Sequence, residues 1–348
     1  MNNKQKKELT MNKLTKYGVS ALCGTLAGIS AANAGDLSVT GGADMSWISL
    51  DDETTGNPIG MGSNLTFSGS GELDNGWSVK LTVAHTNANA YSNTNVVVTV
   101  PGLGDVRIDQ GTTGTGIDRM DDNTPNVWEE AYGTGLGTGI DTVSGTSGGS
   151  TIEFTPSDMT PDGLTVRAAW SPNVGGKNAA DKGSTATTGV SGSGWDLTFD
   201  ASSDLIGMDG LSVYGGIAQS EVHQNATPYN GDKEEKTLGV KYAVGSFTLG
   251  YQWSEEETGR ATTATKYEND GYGITFAVND DLSIGYNHYE SEQSSSTNVT
   301  AEATSVQIAY TMGGASFRLA EATADNMKYS TGAAMDRDAT TLSVSLAF

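Results

Sequence analysis

The stretch that decides the fold is residues 235–290, EKTLGVKYAVGSFTLGYQWSEEETGRATTATKYENDGYGITFAVNDDLSIGYNHYE, which repeats a polar loop, an alternating segment, a tight turn and another alternating segment. Every second position of each segment is apolar: Leu238, Val240 and Tyr242; Phe247, Leu249, Tyr251 and Trp253; Tyr272, Ile274, Phe276 and Val278; Leu282, Ile284 and Tyr286. Successive side chains of a strand point to opposite faces, so a period of two predicts strands. The stretch therefore predicts two β-hairpins that turn at residues 245–246 and 279–281.

The two faces of these predicted strands differ in chemistry. One face is apolar and ends in Tyr or Trp, and the other carries Gly, small polar residues and charges such as Lys241. A bilayer core cannot hydrogen-bond a backbone, so only helices and closed barrels span it. Apolar-out, polar-in strands of about ten residues, with short turns at one end and long loops at the other, indicate a transmembrane β-barrel. Aromatic residues are then expected at the membrane interfaces: Trp47, Trp77, Tyr251, Trp253, Tyr286 and Phe348.

Composition restricts the class of protein. The chain has 348 residues, 46 Gly and a formal charge of −23, and only 36% of its residues are hydrophobic. This length suits one large barrel or two soluble domains. No run of about eighteen apolar residues lies beyond the N-terminus, which argues against a helical membrane protein. The acidity argues against nucleic-acid binding and favours soluble loops or a field that attracts cations.

The N-terminus has the pattern of a secretory signal peptide, predicted at residues 1–34. Five lysines precede a weakly apolar run at 17–31, and Ala-Asn-Ala at 32–34 matches the cleavage pattern. A membrane anchor is the alternative, but the run is too short and contains Gly and Ser. Either Met1 or Met11 can be the start.

Cleavage of the signal peptide removes a net charge of +4, so the formal charge changes from −23 to −27. It also removes the only Cys. A thiol-free exported chain suits an oxidising compartment without disulfides.

The alternation continues along residues 35–348, which are predicted to form one domain. Turn signals separate the strands at Asp74-Asn75-Gly76, Pro101-Gly102, Pro161-Asp162-Gly163 and Gly313-Gly314. Longer loops are predicted at 51–63, 85–94, 111–150, 171–194 and 291–303. The tally is about sixteen strands in an all-β antiparallel barrel. Residues 111–150 are the longest irregular stretch, and loops longer than about fifteen residues usually have a function.

The chain from Gly35 to Phe348 resembles the general diffusion porins of Gram-negative bacteria, most closely the alphaproteobacterial type. The resemblance rests on the leader, on LGDVRIDQG at 103–111 before the long loop, and on the terminal Phe348. It implies an outer-membrane homotrimer of sixteen-stranded barrels, each with a pore narrowed by the third loop at 111–150. It also implies that the second loop, 85–94, contacts a neighbouring subunit and that the outer-membrane assembly machinery recognises Phe348. The third loop lacks the Pro-Glu-Phe-Gly motif of many relatives.

Charged residues predict how such a pore would select solutes, because selectivity depends on diameter and lining charge. A third loop against the wall would supply a negative side: Asp118, Asp121, Asp122, Glu129, Glu130 and Asp141. Cations at inward positions would supply the positive side: Lys80, Arg107, Arg167, Lys241 and Arg318. A Lys or Arg that faces lipid near the midplane costs roughly 2–4 kcal/mol, so inward placement is favoured. The prediction is a channel for passive diffusion of small hydrophilic solutes and ions, with a cation preference.

Other interpretations of the acidic residues stay open. Each acid is otherwise a solvated loop carboxylate, and Arg119 is a possible partner for Asp118 within the loop. Asp121 and Asp122 also predict a Ca²⁺ site of hard oxygen ligands, although no EF-hand spacing accompanies them. No other cofactor is expected.

Catalysis finds little support in the sequence. The three histidines, His85, His223 and His288, have no metal-ligand spacing around them. The chain has no G-x-S-x-G elbow, Walker loop or dinucleotide fingerprint. Two alternatives to a pore are a secreted β-rich adhesin or surface structural protein, and a barrel phospholipase, which would need a Ser–His pair at its lipid-facing rim.

Overall fold

The computed structural model describes residues 34–51, 57–86, 93–110, 114–174, 191–222, 230–262 and 264–347. Within them sixteen antiparallel strands close into one barrel, in which each strand pairs with its sequence neighbours and β16 pairs with β1. The strands are β1 Ala34–Leu50, β2 Ile59–Glu72, β3 Ser78–Thr86, β4 Asn93–Val100, β5 Gly104–Gln110, β6 Ser150–Thr155, β7 Leu164–Ser171, β8 Ser191–Ala201, β9 Leu211–Val222, β10 Lys233–Val244, β11 Phe247–Glu257, β12 Lys266–Ala277, β13 Leu282–Ser294, β14 Val299–Met312, β15 Ala315–Asp325 and β16 Arg337–Ala347. The predicted all-β barrel of about sixteen strands is confirmed.

Helical structure is confined to short pieces between strands. A single-turn helix, α1, spans Ser203–Ile206. The 3-10 turns are Gly116–Met120 and Ala131–Gly133 between β5 and β6, and Met327–Tyr329 and Ala333–Met335 between β15 and β16. Among the described residues, no helix is both long and apolar enough to cross a membrane.

The two hairpins predicted from residues 235–290 are β10–β11 and β12–β13. In the first, the ladder runs without a register shift from Glu234 opposite Glu257 to Val244 opposite Phe247. Gly245 closes its two-residue turn with φ of 58°, a conformation that glycine adopts without steric cost.

The outer wall is apolar and the inner wall is polar, the reverse of a soluble protein. On β11 the outward-facing Leu249 is 41% exposed, whereas the inward-facing Gln252 is 2% exposed. The outward aromatic residues Trp47, Trp77 and Tyr286 are also exposed, as expected of a girdle at a membrane interface.

Several strands extend beyond the predicted ends. β2 begins at Ile59, inside the predicted loop 51–63, and β13 and β14 reduce the predicted loop 291–303 to residues 295–298. The outward positions at these ends of β13 and β14 carry polar and charged side chains, so an apolar period cannot reveal them. In β2 the period was present, because Ile59 and Met61 share the outward parity of Leu65 and Phe67. β8 begins at Ser191, and the third loop ends at residue 149, because Ser150 already belongs to β6.

Some predictions fall outside the described residues. These are the signal peptide up to residue 33, parts of the predicted loops at 52–56, 87–92, 111–113 and 175–190, His223, and the terminal Phe348.

Candidate pore constriction

The third loop folds into the barrel along an out-and-back path through residues 114–149, the part of it that the structure describes. Its first limb, residues 116–134, lies against the inward faces of β8 to β16, and its return limb, residues 136–147, runs back toward β8. The loop thus covers one half of the inner wall, as a constriction requires.

Three amide side chains on inward faces hold the first limb: Gln252 on β11, Asn287 on β13 and Gln307 on β14. The Gln307 side-chain oxygen accepts hydrogen bonds from the backbone N–H groups of Trp128 and Glu129 at 3.1 and 3.3 Å. Asn287 accepts one from the Ala131 N–H at 2.9 Å. A loop has no ladder of its own, so these side chains satisfy its backbone groups.

Two wall carboxylates hold the return limb. Glu235 on β10 accepts hydrogen bonds from the N–H groups of Ser144 at 2.7 Å and Gly145 at 2.9 Å. Asp196 on β8 accepts hydrogen bonds from the N–H and the hydroxyl of Thr146, the latter at 2.8 Å. Charge-assisted bonds of this kind are stronger than neutral ones, so the loop is fixed at both limbs.

Five of the predicted acids form a cluster on the first limb: Asp118, Asp121, Asp122, Glu129 and Glu130. Asp122 is exposed in the lumen. Burial, followed by the charge of Asp122 and a hydrogen bond with it, raises the pKa of Asp121 to about 8. Burial and the same charge raise the pKa of Glu130 to about 7. Burial also raises the pKa of Asp118 and Glu129. Near neutral pH Asp121 and Glu130 are therefore partly protonated.

Asp141, the sixth predicted acid, lies apart on the return limb. Its backbone N–H donates to the Tyr329 hydroxyl at 3.0 Å, and its carbonyl accepts from the Asn269 amide at 3.0 Å. Burial raises the pKa of Asp141, and Lys233 opposes the rise. Its charged neighbours are thus Lys233 and Glu235 on β10 and Arg260, rather than the acids of the first limb.

Three arginines form a cationic group where the loop enters the barrel. Burial lowers the pKa of Arg119 on the loop; the Glu153 carboxylate opposes this, and the positive charges of Arg167 and Arg107 add to the lowering. Each arginine also has an anionic partner: Arg107 pairs with Asp109 at 2.7 Å, Arg119 with Glu153, and Arg167 with Asp200. The positive charges of these three arginines are therefore largely neutralised by the adjacent carboxylates.

The remaining predicted cations have different surroundings. Lys241 lies 5.4 Å from the ring centre of Tyr214, with its Nζ 3.5 Å from the Asn123 side-chain oxygen. Arg318 pairs with Asp44 at 3.3 Å. Lys80 is exposed on β3 and forms no ion pair with any residue that the structure describes. Lys241 thus contacts the third loop, whereas Lys80 lines the open wall.

The arrangement corrects one interpretation and adds residues that the sequence did not single out. Arg119 pairs with Glu153 on β6 rather than with Asp118. Asp118 instead accepts hydrogen bonds from the Gly114 N–H and the Ser147 hydroxyl.

The residues that hold the loop had one signal in the sequence, a large polar side chain at an inward position: Glu153, Asp196, Glu235, Gln252, Asn287 and Gln307.

Calcium at Asp121 and Asp122 stays a prediction. The two carboxyl groups are hydrogen-bonded to each other. Within the described part of the chain, neither belongs to a group of three His, Cys, Asp or Glu ligand atoms within 4.8 Å of one another.

Comparison with known proteins agrees with this geometry. A family model described as Gram-negative porin matches residues 18–314. The chain belongs to the Gram-negative porin family. No curated protein matches the sequence. Membership and the closed barrel place the porin in the outer membrane as a channel and indicate a channel rather than an enzyme.

Solved structures confirm the fold at low sequence identity. Salmonella typhi OmpF in complex with daunomycin superposes with a TM-score of 0.67 and 14% identity, over 90% of this porin and 97% of that chain. An anion-selective porin from Comamonas acidovorans gives 0.66 and 14%, over 90% and 99%. OmpT of Vibrio cholerae gives 0.61 and 13%, over 92% and 100%. At such identities the fold alone is shared, and the alphaproteobacterial type stays a prediction.

Proposed function

We propose that this porin is a cation-preferring channel for passive diffusion of small hydrophilic solutes and ions. The cation preference rests on one observation: more acids than cations of the constriction lack an ion-pair partner. Among the described residues, no Lys or Arg forms an ion pair with the five clustered acids of the first limb. Arg107, Arg119, Arg167 and Arg318 each have a carboxylate partner, which leaves Lys80 and Lys241 as the two predicted cations without one. A permeating ion therefore meets a net negative lining.

The size of the effect follows from Coulomb's law. A unit charge about 5 Å from a permeating ion contributes about 0.8 kcal/mol in water, which changes the local ion concentration about fourfold. Asp122 is exposed in the lumen and can act at such a distance.

Reversal potentials across a planar bilayer with a KCl gradient test the preference. We expect the sign of a cation-selective pore, and we expect Asp122→Asn to lower the K⁺/Cl⁻ permeability ratio by up to about 16-fold, because the lost charge acts about fourfold on K⁺ and about fourfold in the opposite sense on Cl⁻. Asp74→Asn is the matched control, because it removes the same charge from the β2–β3 turn, away from the third loop. A wild-type potential of the opposite sign refutes the preference.

The assembled form is also part of the proposal. We infer a homotrimer that is exported through the signal peptide at residues 1–34 and inserted by the outer-membrane assembly machinery through Phe348. Membership of the porin family and the closed barrel support this inference. N-terminal sequencing of the mature protein should give Gly35 as its first residue.

A further inference from the structure

The outer surface of the barrel carries a group of metal-ligand atoms that the pore does not use. His288 and Glu290 on β13 and Glu302 on β14 place one nitrogen and two carboxylate oxygens within 4.8 Å of one another. His288 and Glu290 share the outward parity of Ile284 and Tyr286 and lie beyond them, near the loop end of β13. The group therefore lies at the rim of the outer wall.

The imidazole of this group is already oriented. His288 is 8% exposed, and its ring packs against Tyr272 with centroids 4.8 Å apart. Its Nδ1 is 2.8 Å from the Thr304 hydroxyl, and its Nε2 is 3.2 Å from a Glu290 carboxylate oxygen. A metal-bound histidine characteristically has its second nitrogen held by such a partner. Nε2 is then the nitrogen that faces the two carboxylates.

Strand register provides an independent reason for a cation here. Glu290 lies directly opposite Asp270 on β12 and Glu302 on β14, and Glu302 lies opposite Asp325 on β15. Like charges directly opposite each other destabilise a sheet. Among the described residues, no Lys or Arg forms an ion pair with any of these four carboxylates.

The neighbouring outward acids form ion pairs with lysine side chains. Glu255 pairs with Lys236 at 3.4 Å and with Lys266 at 2.8 Å, and Lys266 also reaches Glu268 at 3.0 Å. One part of the rim thus carries its own cations. Among the described residues, the row of Asp270, Glu290, Glu302 and Asp325 has His288 beside Glu290 and the Tyr251 hydroxyl donating to Asp270, but no Lys or Arg partner.

We propose that His288 Nε2 and the carboxylates of Glu290 and Glu302 bind one divalent first-row cation of the Zn²⁺ class. An imidazole nitrogen favours such a cation over Ca²⁺ or Mg²⁺, which prefer oxygen ligands alone. Tetrahedral ligands at about 2.1 Å lie about 3.4 Å apart, so the group must contract. The half-exposed Glu290 side chain can rotate to do so. The bound ion offsets half of the four negative charges of Asp270, Glu290, Glu302 and Asp325, and it joins β13 to β14.

Zn²⁺ titration of the purified full chain in detergent, after chelator treatment, tests the site. We expect one Zn²⁺ per chain by calorimetry and a higher midpoint of thermal unfolding with Zn²⁺ present. His288→Gln and Glu302→Gln should each weaken binding at least tenfold and abolish the thermal shift. Two controls should bind as wild type: His85→Gln removes another outward histidine, and Glu321→Gln another outward acid.

Three outcomes would overturn the proposal: wild-type Zn²⁺ affinity in His288→Gln, loss of binding in His85→Gln, or an equal thermal shift with Ca²⁺. The last would indicate a carboxylate site without the imidazole. Circular dichroism checks that each variant keeps its β-sheet. Glu290→Gln replaces any variant that does not fold, and undiminished binding by it would likewise refute the site.

Discussion

Asp121 and Asp122 are adjacent in the chain, yet their environments differ. Asp122 is exposed in the lumen, while Asp121 is largely covered by the loop and hydrogen-bonds to Asp122. Their acidity and their place in the third loop were predictable from the sequence. The raised pKa of Asp121 was not, because burial depends on how the loop lies against a wall built from distant strands.

The preference of the channel for cations over anions should increase with pH. The raised pKa values of Asp121, about 8, and Glu130, about 7, mean that both carboxyl groups are largely neutral at pH 6 and ionised at pH 9. The negative charge that attracts cations therefore increases across this range. Reversal potentials at pH 6, 7.5 and 9 should show a growing K⁺/Cl⁻ permeability ratio. Asp121→Asn should flatten the upper part of the rise, whereas Asp74→Asn should leave it intact; a ratio independent of pH contradicts the shifted pKa values.

At the scale of the element, the strands were predictable and the path of the third loop was not. Alternation placed Gln252 and Asn287 on the inward face because a strand has a fixed period. Their partners are loop backbone groups far away in the chain, as with Gln307 and Trp128, which are 179 residues apart. No local pattern encodes such contacts, so the sequence indicated a loop in the pore without the residues that hold it.

Gln307→Ala should loosen the third loop. The change removes hydrogen bonds to the backbone of Trp128 and Glu129, each worth about 0.5–1.5 kcal/mol net. Single-channel recordings should then show noisier open currents and more frequent closures than wild type. Gln293→Ala is the matched control, because Gln293 points inward on β13 but bonds to Tyr267 rather than to the loop. Equal noise in both variants would show that Gln307 does not hold the loop.

The outward face of a single strand can be tested by a pair of adjacent substitutions. Leu249→Lys places a charge on the exposed apolar face of β11 and should cost roughly 2–4 kcal/mol if that face contacts lipid. Thr248→Lys places the same side chain on the inward face, where water solvates it. Urea unfolding in lipid vesicles should show the first variant markedly less stable and the second close to wild type. Equal stability of the two would mean that the outward face does not contact lipid.

At the scale of the whole molecule, closure makes the barrel resistant to disruption. β16 pairs with β1 over nine residue pairs, from Gly42 opposite Ala347 to Leu50 opposite Ala339, so the sheet has no free edge within the described strands. The strand count was predictable because each turn and loop has its own signal. Closure itself was predictable from the apolar outward face, because a sheet that spans lipid can leave no backbone edge unpaired.

The proposed homotrimer should resist sodium dodecyl sulfate until it is heated. Each closed barrel must lose its hydrogen-bonded ladder cooperatively before detergent can unfold it, and subunits that pack through such walls stay together until then. Unheated samples should therefore migrate well above the monomer position, and boiled samples should migrate as monomers. A sample unfolded in urea beforehand should run as a monomer at either temperature. A folded, unheated sample at the monomer position would refute the trimer, and monodisperse protein in detergent-free buffer would refute the membrane barrel itself.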